Sequence, residues 1–331
     1  MANSRKNVKN PIEAATILET HYGHQLDRPV VYTQGVSLSG RLRLFELDSG
    51  IADPSGDIAE IVSEYAASPS GIFRSEDSTA NFAGICWADE LAQATGDDRY
   101  LDILRSTAEL YGPSVEDGPL DPDVRVEDFF FAATVLGRAF RSTGDAKYTN
   151  WLAEFLDAAD TLQPNDLWWH CKASPFYWGR GNGFAALGFA EALTYIPEDH
   201  PSRAGLIQTH VRHLKGLTSY QDVTGMWRQI VDMPETYLEF SSTAMIGYSI
   251  ARGLRKGWLS DDFRPVVDRG WSGISERISG KGELEHVCVG TGPLATLDEY
   301  VTRSYTDGLD DRGGAMALWF AVEMARLESG V

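Results

Sequence analysis

Three stretches of the chain gather side chains that can carry proton chemistry or hold a charged ligand. The first is Glu116-Asp117-Gly118-Pro119-Leu120-Asp121-Pro122-Asp123-Val124-Arg125-Val126-Glu127-Asp128. Its two prolines forbid a continuous helix, so it reads as a carboxylate-rich loop that ends where an apolar helix from Phe129 to Phe140 begins. Glu127 and Asp128 then stand at a helix start. Acids favour that position for capping and dipole reasons alone. The functional reading is a general acid, which needs a carboxyl kept protonated near neutral pH by burial or by a neighbouring negative charge. Adjacent helical residues point about 100° apart, so only one of the two can face a central cavity squarely, and the sequence leaves both as candidates.

The second stretch is Trp168-Trp169-His170-Cys171-Lys172, followed by Phe176-Tyr177-Trp178-Gly179-Arg180-Gly181-Asn182-Gly183-Phe184. Flat aromatics suit the apolar faces of sugar rings, and Arg180, Lys172 or His170 can meet a carboxylate. The plainer reading places the tryptophans in the core and the cations in water. The glycines read Gly-x-Gly-x-Gly with no strand ahead of them, which is not a dinucleotide fingerprint. The third stretch runs Gly225-Met226-Trp227-Arg228-Gln229-Ile230-Val231-Asp232 and through Glu235 and Glu239 to Ser241-Ser242. Arg228 is a second candidate for an anion, or a partner of Asp232; Ser241 or Ser242 reads as a helix cap. Cys288, with only His286 near it in sequence, reads as an inert thiol.

These groups need a scaffold, and the chain supplies a helical one. Apolar residues recur at helical spacing in Phe129, Ala133, Leu136 and Phe140, in Ile207, Val211 and Leu214, and in Ile246, Ile250 and Leu254, while alternating strand patterns are few. Thr95-Gly96-Asp97-Asp98-Arg99-Tyr100-Leu101 and Thr143-Gly144-Asp145-Ala146-Lys147-Tyr148-Thr149 are near copies 48 residues apart. In each, the Gly ends one helix and the Asp caps the next. Roughly six or seven such hairpins fit the chain, and each must stack on its neighbours to bury its apolar face. An open solenoid or a closed ring would do this. The long aromatic connections from Leu167 to Tyr177 and from Thr224 to Tyr237 favour the ring, which gives them one shared mouth. Gly137, Gly183, Gly188 and Gly247 sit inside the expected helices, where they mark close helix packing. No break in composition divides residues 1–331, so a single domain is expected.

Composition narrows the function. A hydrophobic share of 43% allows a substantial core, and a net charge of −19 disfavours nucleic acid and anionic membrane as partners. Any anionic ligand must find a local positive pocket. The basic start Met1-Ala2-Asn3-Ser4-Arg5-Lys6 runs into polar residues, so neither a secretion signal nor a membrane span is expected, and the location expected is cytoplasmic. Cys86, Cys171 and Cys288 are too few and too widely spaced for a disulfide framework or a Cys-x-x-Cys metal site.

Taken together, these segments resemble glycoside hydrolase family 105. The resemblance runs from about Tyr32-Thr33-Gln34-Gly35 to the last helix. Its most specific parts are Trp178-Gly179-Arg180-Gly181-Asn182-Gly183, Thr224 to Asp232 with Ser241-Ser242-Thr243-Ala244-Met245, and Val287-Cys288-Val289-Gly290-Thr291-Gly292. It implies an all-α fold, the (α/α)6 barrel or six-hairpin toroid. It also implies removal of a terminal 4,5-unsaturated uronic acid from an oligosaccharide, without metal or organic cofactor, by a monomer or homodimer. An acid would protonate C4 of the vinyl ether, water would add at C5, and the hemiketal would collapse and release the aglycone. The family's aspartate at a helix start falls at Glu127, with Asp128 second, and both are carried as catalytic candidates. Tyr32, His170, Trp178, Arg180, Phe184, Trp227 and Arg228 are the substrate-binding candidates. The uronate carboxylate is expected near Arg180 or Arg228, and the ring against Trp178 or Phe184. Thr79 stands in place of a second acid, Arg125 where many relatives have an aromatic, and Thr33 where some have His. Such departures leave room for a saturated uronide or another sugar as substrate, or for a carbohydrate-binding relative without turnover.

Overall fold

Helices built from long apolar runs alternate along the chain with helices that are apolar on one face only, and this alternation sets the architecture. The computed structural model describes residues 10–67, 72–73, 77–113 and 120–330; Glu116 to Pro119 of the acidic run lie outside them. The elements in chain order are α1 (Pro11–Glu19), α2 (Tyr32–Leu47), α3 (Ser55–Ile61), α4 (Ser63–Ala67), α5 (Thr79–Phe82), α6 (Ala88–Thr95), α7 (Arg99–Glu109), α8 (Val126–Thr143), α9 (Lys147–Asp157), α10 (Gly179–Tyr195) and α11 (Arg203–Thr218). There follow β1 (Trp227–Arg228), β2 (Leu238–Glu239), α12 (Phe240–Lys256), α13 (Arg264–Ser275), β3 (Leu284–Cys288), α14 (Leu297–Val301), β4 (Tyr305–Gly308) and α15 (Asp311–Ser329).

In α10 every residue from Gly179 to Leu193 is buried, and in α12 every residue from Phe240 to Gly253. A helix buried all round lies inside a larger assembly. By contrast α7 buries Tyr100, Ile103, Leu104, Thr107 and Ala108, one face at i, i+3, i+4, i+7 and i+8, and α9 buries Tyr148, Leu152 and Leu156 in the same way. The inner layer is α2, α5 with α6, α8, α10, α12 and α15; the outer layer is α3 with α4, α7, α9, α11, α13 and α1. Inner neighbours pack in sequence, α8 on α10, α10 on α12 and α12 on α15, and α15 closes the ring against α2 and α1. This is the six-hairpin toroid expected from the sequence.

Both near copies behave as read. Gly96 and Gly144 end α6 and α8 in left-handed conformation, φ 74° and 70°, and Asp97 and Asp145 accept the N–H of Arg99 and Lys147, the first residues of α7 and α9. The helical glycines mark close packing. A Cβ on Gly188 would lie 2.5 Å from the Phe129 carbonyl carbon and 2.6 Å from the Phe130 nitrogen, so α10 and α8 touch backbone to backbone. Side chains on Gly137, Gly183 and Gly247 would meet Tyr195, Met245 and Phe320. Two short antiparallel pairs complete the fold: β1 with β2, Trp227 opposite Glu239, and β3 with β4, Cys288 opposite Tyr305. Among the described residues no helix is long and apolar enough to cross a membrane.

Candidate active site

Because the inner helices all run the same way, their N-terminal ends converge at one end of the ring. A cavity of about 780 Å³ opens there, lined by Tyr32 and Thr33 of α2, Ser78 and Ala80 around the start of α5, Arg125, Glu127 and Phe131 of α8 and its cap, Trp178, Arg180 and Phe184 of α10 and its cap, Asp310 to Arg312 at the start of α15, and Gly290 to Gly292. Helix N-termini carry partial positive charge, so this end of an acidic protein is suited to an anion.

Of the two candidate acids, the structure turns Glu127 to the cavity and Asp128 into the wall. His170 Nε2 lies 2.9 Å from Glu127 Oε1, while Glu127 Oε2 is buried and has no hydrogen-bond partner. Burial alone would raise the Glu127 pKa, but the charge and hydrogen bond of His170 more than offset it and the value falls below the usual range. Asp128 is fully buried. Thr79 Oγ1 donates to its Oδ1 at 2.6 Å, and the Arg125 N–H to its Oδ2 at 3.3 Å. Its burial pushes the pKa up to about 6, against the pull of Arg125. Thr79 is therefore the hydroxyl partner of Asp128.

His170 is placed by backbone. Its carbonyl accepts the N–H of Val126, the first residue of α8, and its own N–H donates to Phe176. Asp123 holds the same loop by accepting the N–H groups of Lys172 and Ala173 at 2.8 and 2.9 Å, which is structural work for one acid of the run. The His170 ring packs on Trp178 with centroids 4.7 Å apart, and its Nδ1 meets the Tyr300 hydroxyl. Tyr300 comes from α14, 130 residues away in sequence, and no local pattern marks it. The same is true of His21, His24 and Arg312, which also line the cavity.

Arg180 is 2% exposed. It donates to the carbonyls of Cys288 at 2.5 Å and Val289 at 2.7 Å and lies over Trp178 at 4.8 Å. It lines the cavity, and among the described residues no carboxylate is paired to it, while its N–H groups on both Nη atoms hold the turn after β3. Tyr32 and Phe184 are in contact, ring centroids 5.5 Å apart, and form an apolar part of the lining.

Three expected binding residues are absent from the lining: His170 is buried behind Glu127, and Trp227 and Arg228 lie elsewhere. Trp227 is fully buried and its indole N–H donates to Leu217 at 2.8 Å, which makes it core. Arg228 pairs with Asp222 at 2.7 Å and donates to Thr236, outside the cavity. The whole connection from Thr224 to Tyr237 is absent from the lining, because β1 pairs with β2 and turns these side chains away. Asp222, not Asp232, is the Arg228 partner. Nor do the serines cap α12: Glu239 does so by accepting the N–H groups of Ser241 at 3.0 Å and Ser242 at 2.6 Å, leaving both serines within the helix. Lys172 is exposed and pairs with Asp160. Cys86, Cys171 and Cys288 are free and buried, and burial raises the first two to about 12 and about 11.

Comparison with known proteins agrees with this architecture. The model of Glycosyl Hydrolase Family 88 matches residues 169–328. The unsaturated rhamnogalacturonyl hydrolase YesR of Bacillus subtilis is 27% identical over 260 residues, 71% of this chain and 74% of that protein. An unsaturated 3S-rhamnoglycuronyl hydrolase of an Alteromonas species is 29% identical over 187 residues, 51% of this chain and 45% of that protein. Among solved structures, a possible member of family GH105 from Salmonella enterica superposes with a TM-score of 0.81 at 19% identity, covering 98% of this chain and 96% of that one, which shows the fold. The ring of hairpins, the family 88 match across its second half and the curated relatives agree, and the chain is similar to the unsaturated uronyl hydrolases of glycoside hydrolase families 88 and 105.

Proposed function

We propose that the protein is a hydrolase that removes a terminal 4,5-unsaturated uronic acid from an oligosaccharide, with Glu127 as the proton-transferring group. The observation that carries this assignment is the Glu127 carboxyl, buried on the cavity wall with Oε1 held by His170 and Oε2 without a partner. Buried polar atoms are nearly always paired, and an orphan beside a cavity is where a reacting atom can sit.

In the free site His170 draws Glu127 toward the ionised form. A bound uronate brings a second negative charge and excludes water, and both changes favour the neutral carboxyl. Glu127 Oε2 then delivers the proton to C4, and the C4–C5 double bond supplies the electron pair. Positive charge develops at C5 and the ring oxygen. Water adds to C5 and returns its proton to Glu127, restoring the pair. The hemiketal opens, and the aglycone leaves as an alcohol. The Tyr300 hydroxyl and Trp178 fix the His170 ring while this happens.

The carboxylate of the sugar sits toward Arg180, where an unpaired cation meets the start of α10, a helix whose cap, Trp178, makes no side-chain hydrogen bond to it. Its ring lies against Trp178, with Tyr32 and Phe184 beside it. Residues 1–331 act as one catalytic domain, supported by the packing of the first and last helices, α1 on α15. A cytoplasmic site of action accords with three buried cysteines that form no disulfide. The test is loss of ultraviolet absorbance when unsaturated uronyl oligosaccharides from rhamnogalacturonan, glucuronan or ulvan are added, since hydration destroys the conjugated double bond. An unchanged signal with all three refutes the assignment.

A further inference from the structure

The cavity has more cationic capacity than one uronate needs, and the guanidinium least occupied by protein is Arg125. As the residue preceding α8, it stands two positions from Glu127. Its Nε forms an ion pair with Asp128 Oδ2 at 3.5 Å, and its backbone N–H is given to the same carboxylate. Among the described residues neither Nη atom has a hydrogen-bond partner, although the side chain lines the cavity and is 29% exposed. The two other cavity arginines are engaged: Arg180 holds the Cys288 and Val289 carbonyls, and Arg312 is paired with Asp310. Arg125 thus offers the planar edge that binds carboxylate or sulfate through two parallel N–H donors, while Asp128 steadies its Nε side from behind.

We infer that Arg125 is a specificity residue that grips a second oxyanion on the oligosaccharide, a carboxylate or a sulfate ester besides the uronate's own carboxylate. The inference rests on the proposed hydrolase reading and names the substrates that the site selects. The cavity volume of about 780 Å³ leaves room for a second sugar carrying that group. Anionic substitution close to the reacting ring would otherwise be repelled by Glu127, Asp310 and Asp311; a guanidinium with both Nη edges open to the cavity turns the repulsion into selection.

The experiment compares three unsaturated uronyl disaccharides that differ only in the second sugar: neutral, carboxylated or O-sulfated. Wild-type protein is expected to favour at least one anionic form over the neutral one by about tenfold or more in kcat/KM, mainly through KM, with the margin shrinking as salt rises. In Arg125→Gln the ratio collapses to within about threefold, and in Arg125→Lys, which keeps the charge beside Asp128 but loses the planar edge, it falls part of the way. The carboxylated and sulfated arms identify which oxyanion is read. Equal kcat/KM for all three substrates in wild type, or an unaltered ratio in Arg125→Gln, overturns the inference. Should no disaccharide be turned over, the hydrolase reading fails and calorimetry decides on Arg125 by itself. Binding of the O-sulfated or carboxylated disaccharide that weakens about tenfold in Arg125→Gln and part of the way in Arg125→Lys upholds its role, and equal binding in wild type and Arg125→Gln ends it.

Discussion

The two ends of the barrel are built from the same residue types and put them to opposite uses. At the base, where the inner helices end, Arg138 has no exposure; it lies 2.7 Å from Asp89 and 3.0 Å from Glu90, and Glu90 also meets Arg43 at 2.8 Å. Arg252 and Arg255 converge on Glu323 at 2.8 and 2.7 Å, and Tyr248 links Arg43 to Glu191. Arg43 also packs over Trp319 at 3.9 Å. Arginines suit helix C-termini, and here each is ion-paired with a carboxylate, although Arg138 Nη2 and Glu191 Oε2 stand 3.9 Å apart without a hydrogen bond. At the mouth, among the described residues, Glu127 Oε2 and the Arg125 Nη atoms have no hydrogen-bond partner, and Arg180 has no paired carboxylate. Charges balanced within the protein stabilise one arrangement of the ring, whereas donors and acceptors left open at the larger cavity are available to a ligand.

The largest expected effect breaks the mouth alone. Glu127→Gln should lower kcat by about 10² to 10⁴ while the protein still binds an unsaturated uronide and melts within a few degrees of wild type; more than a tenth of the normal turnover would remove Glu127 from the mechanism. Breaking the base should do the reverse. Arg138→Met leaves Asp89 and Glu90 buried without their common partner, and denaturant unfolding should show a loss of about 3 to 5 kcal/mol, with KM of the folded enzyme unchanged. A large rise in KM instead would show that base and mouth are coupled.

Asp128 offers a subtler separation. Its folded pKa of about 6 stands above the ordinary 3.8, so between those values the folded state holds the proton more tightly than the unfolded chain. Its contribution to stability is therefore fully present below pH 3.8, falls as pH rises to about 6, and is constant above that. The fall is on the order of 3 kcal/mol at about 1.4 kcal/mol per unit. Asp128→Asn should abolish it, so stability of the variant relative to wild type climbs between pH 4 and 6; a difference that stays level across that window removes the argument. The smallest effect belongs to the rim of the base. Arg326 pairs with Glu46, whose side chain is 71% exposed, and Arg326→Gln should change stability by less than about 1 kcal/mol in chemical denaturation. A loss comparable to that of Arg138→Met would mean that the network extends to the surface.

Much of the scaffold was legible in the chain because local physics writes it there. The 48-residue spacing of Gly96 and Gly144 reports a hairpin repeat, since glycine is the residue that ends a helix in left-handed conformation. Buried glycines such as Gly188 reported close helix contacts for a related reason: lacking a Cβ, they let backbones approach. Glu127, Trp178, Arg180 and Phe184 were found from residue type and motif, and all four line one cavity. Trp227 and Arg228 were misplaced because a tryptophan or an arginine has the same chemistry in core, ion pair or pocket. Only the β1–β2 pairing turned them away from the mouth.

The sequence by itself determined a repeat of paired helices and a pair of acids at the start of one of them, because periodicity, caps and breakers act over a few residues; closure of the repeat into a ring was decided by the packing of α15 on α2. It could not choose between Glu127 and Asp128, which differ by about 100° of helix rotation. That choice fell to distant groups brought in by folding: His170 and Tyr300 on the side of Glu127, Thr79 on the side of Asp128. Proton affinity and exposure depend on neighbours within a few ångströms, and in this protein His170 lies 43 residues from Glu127, Thr79 lies 49 from Asp128, and Tyr300 a further 130 beyond His170.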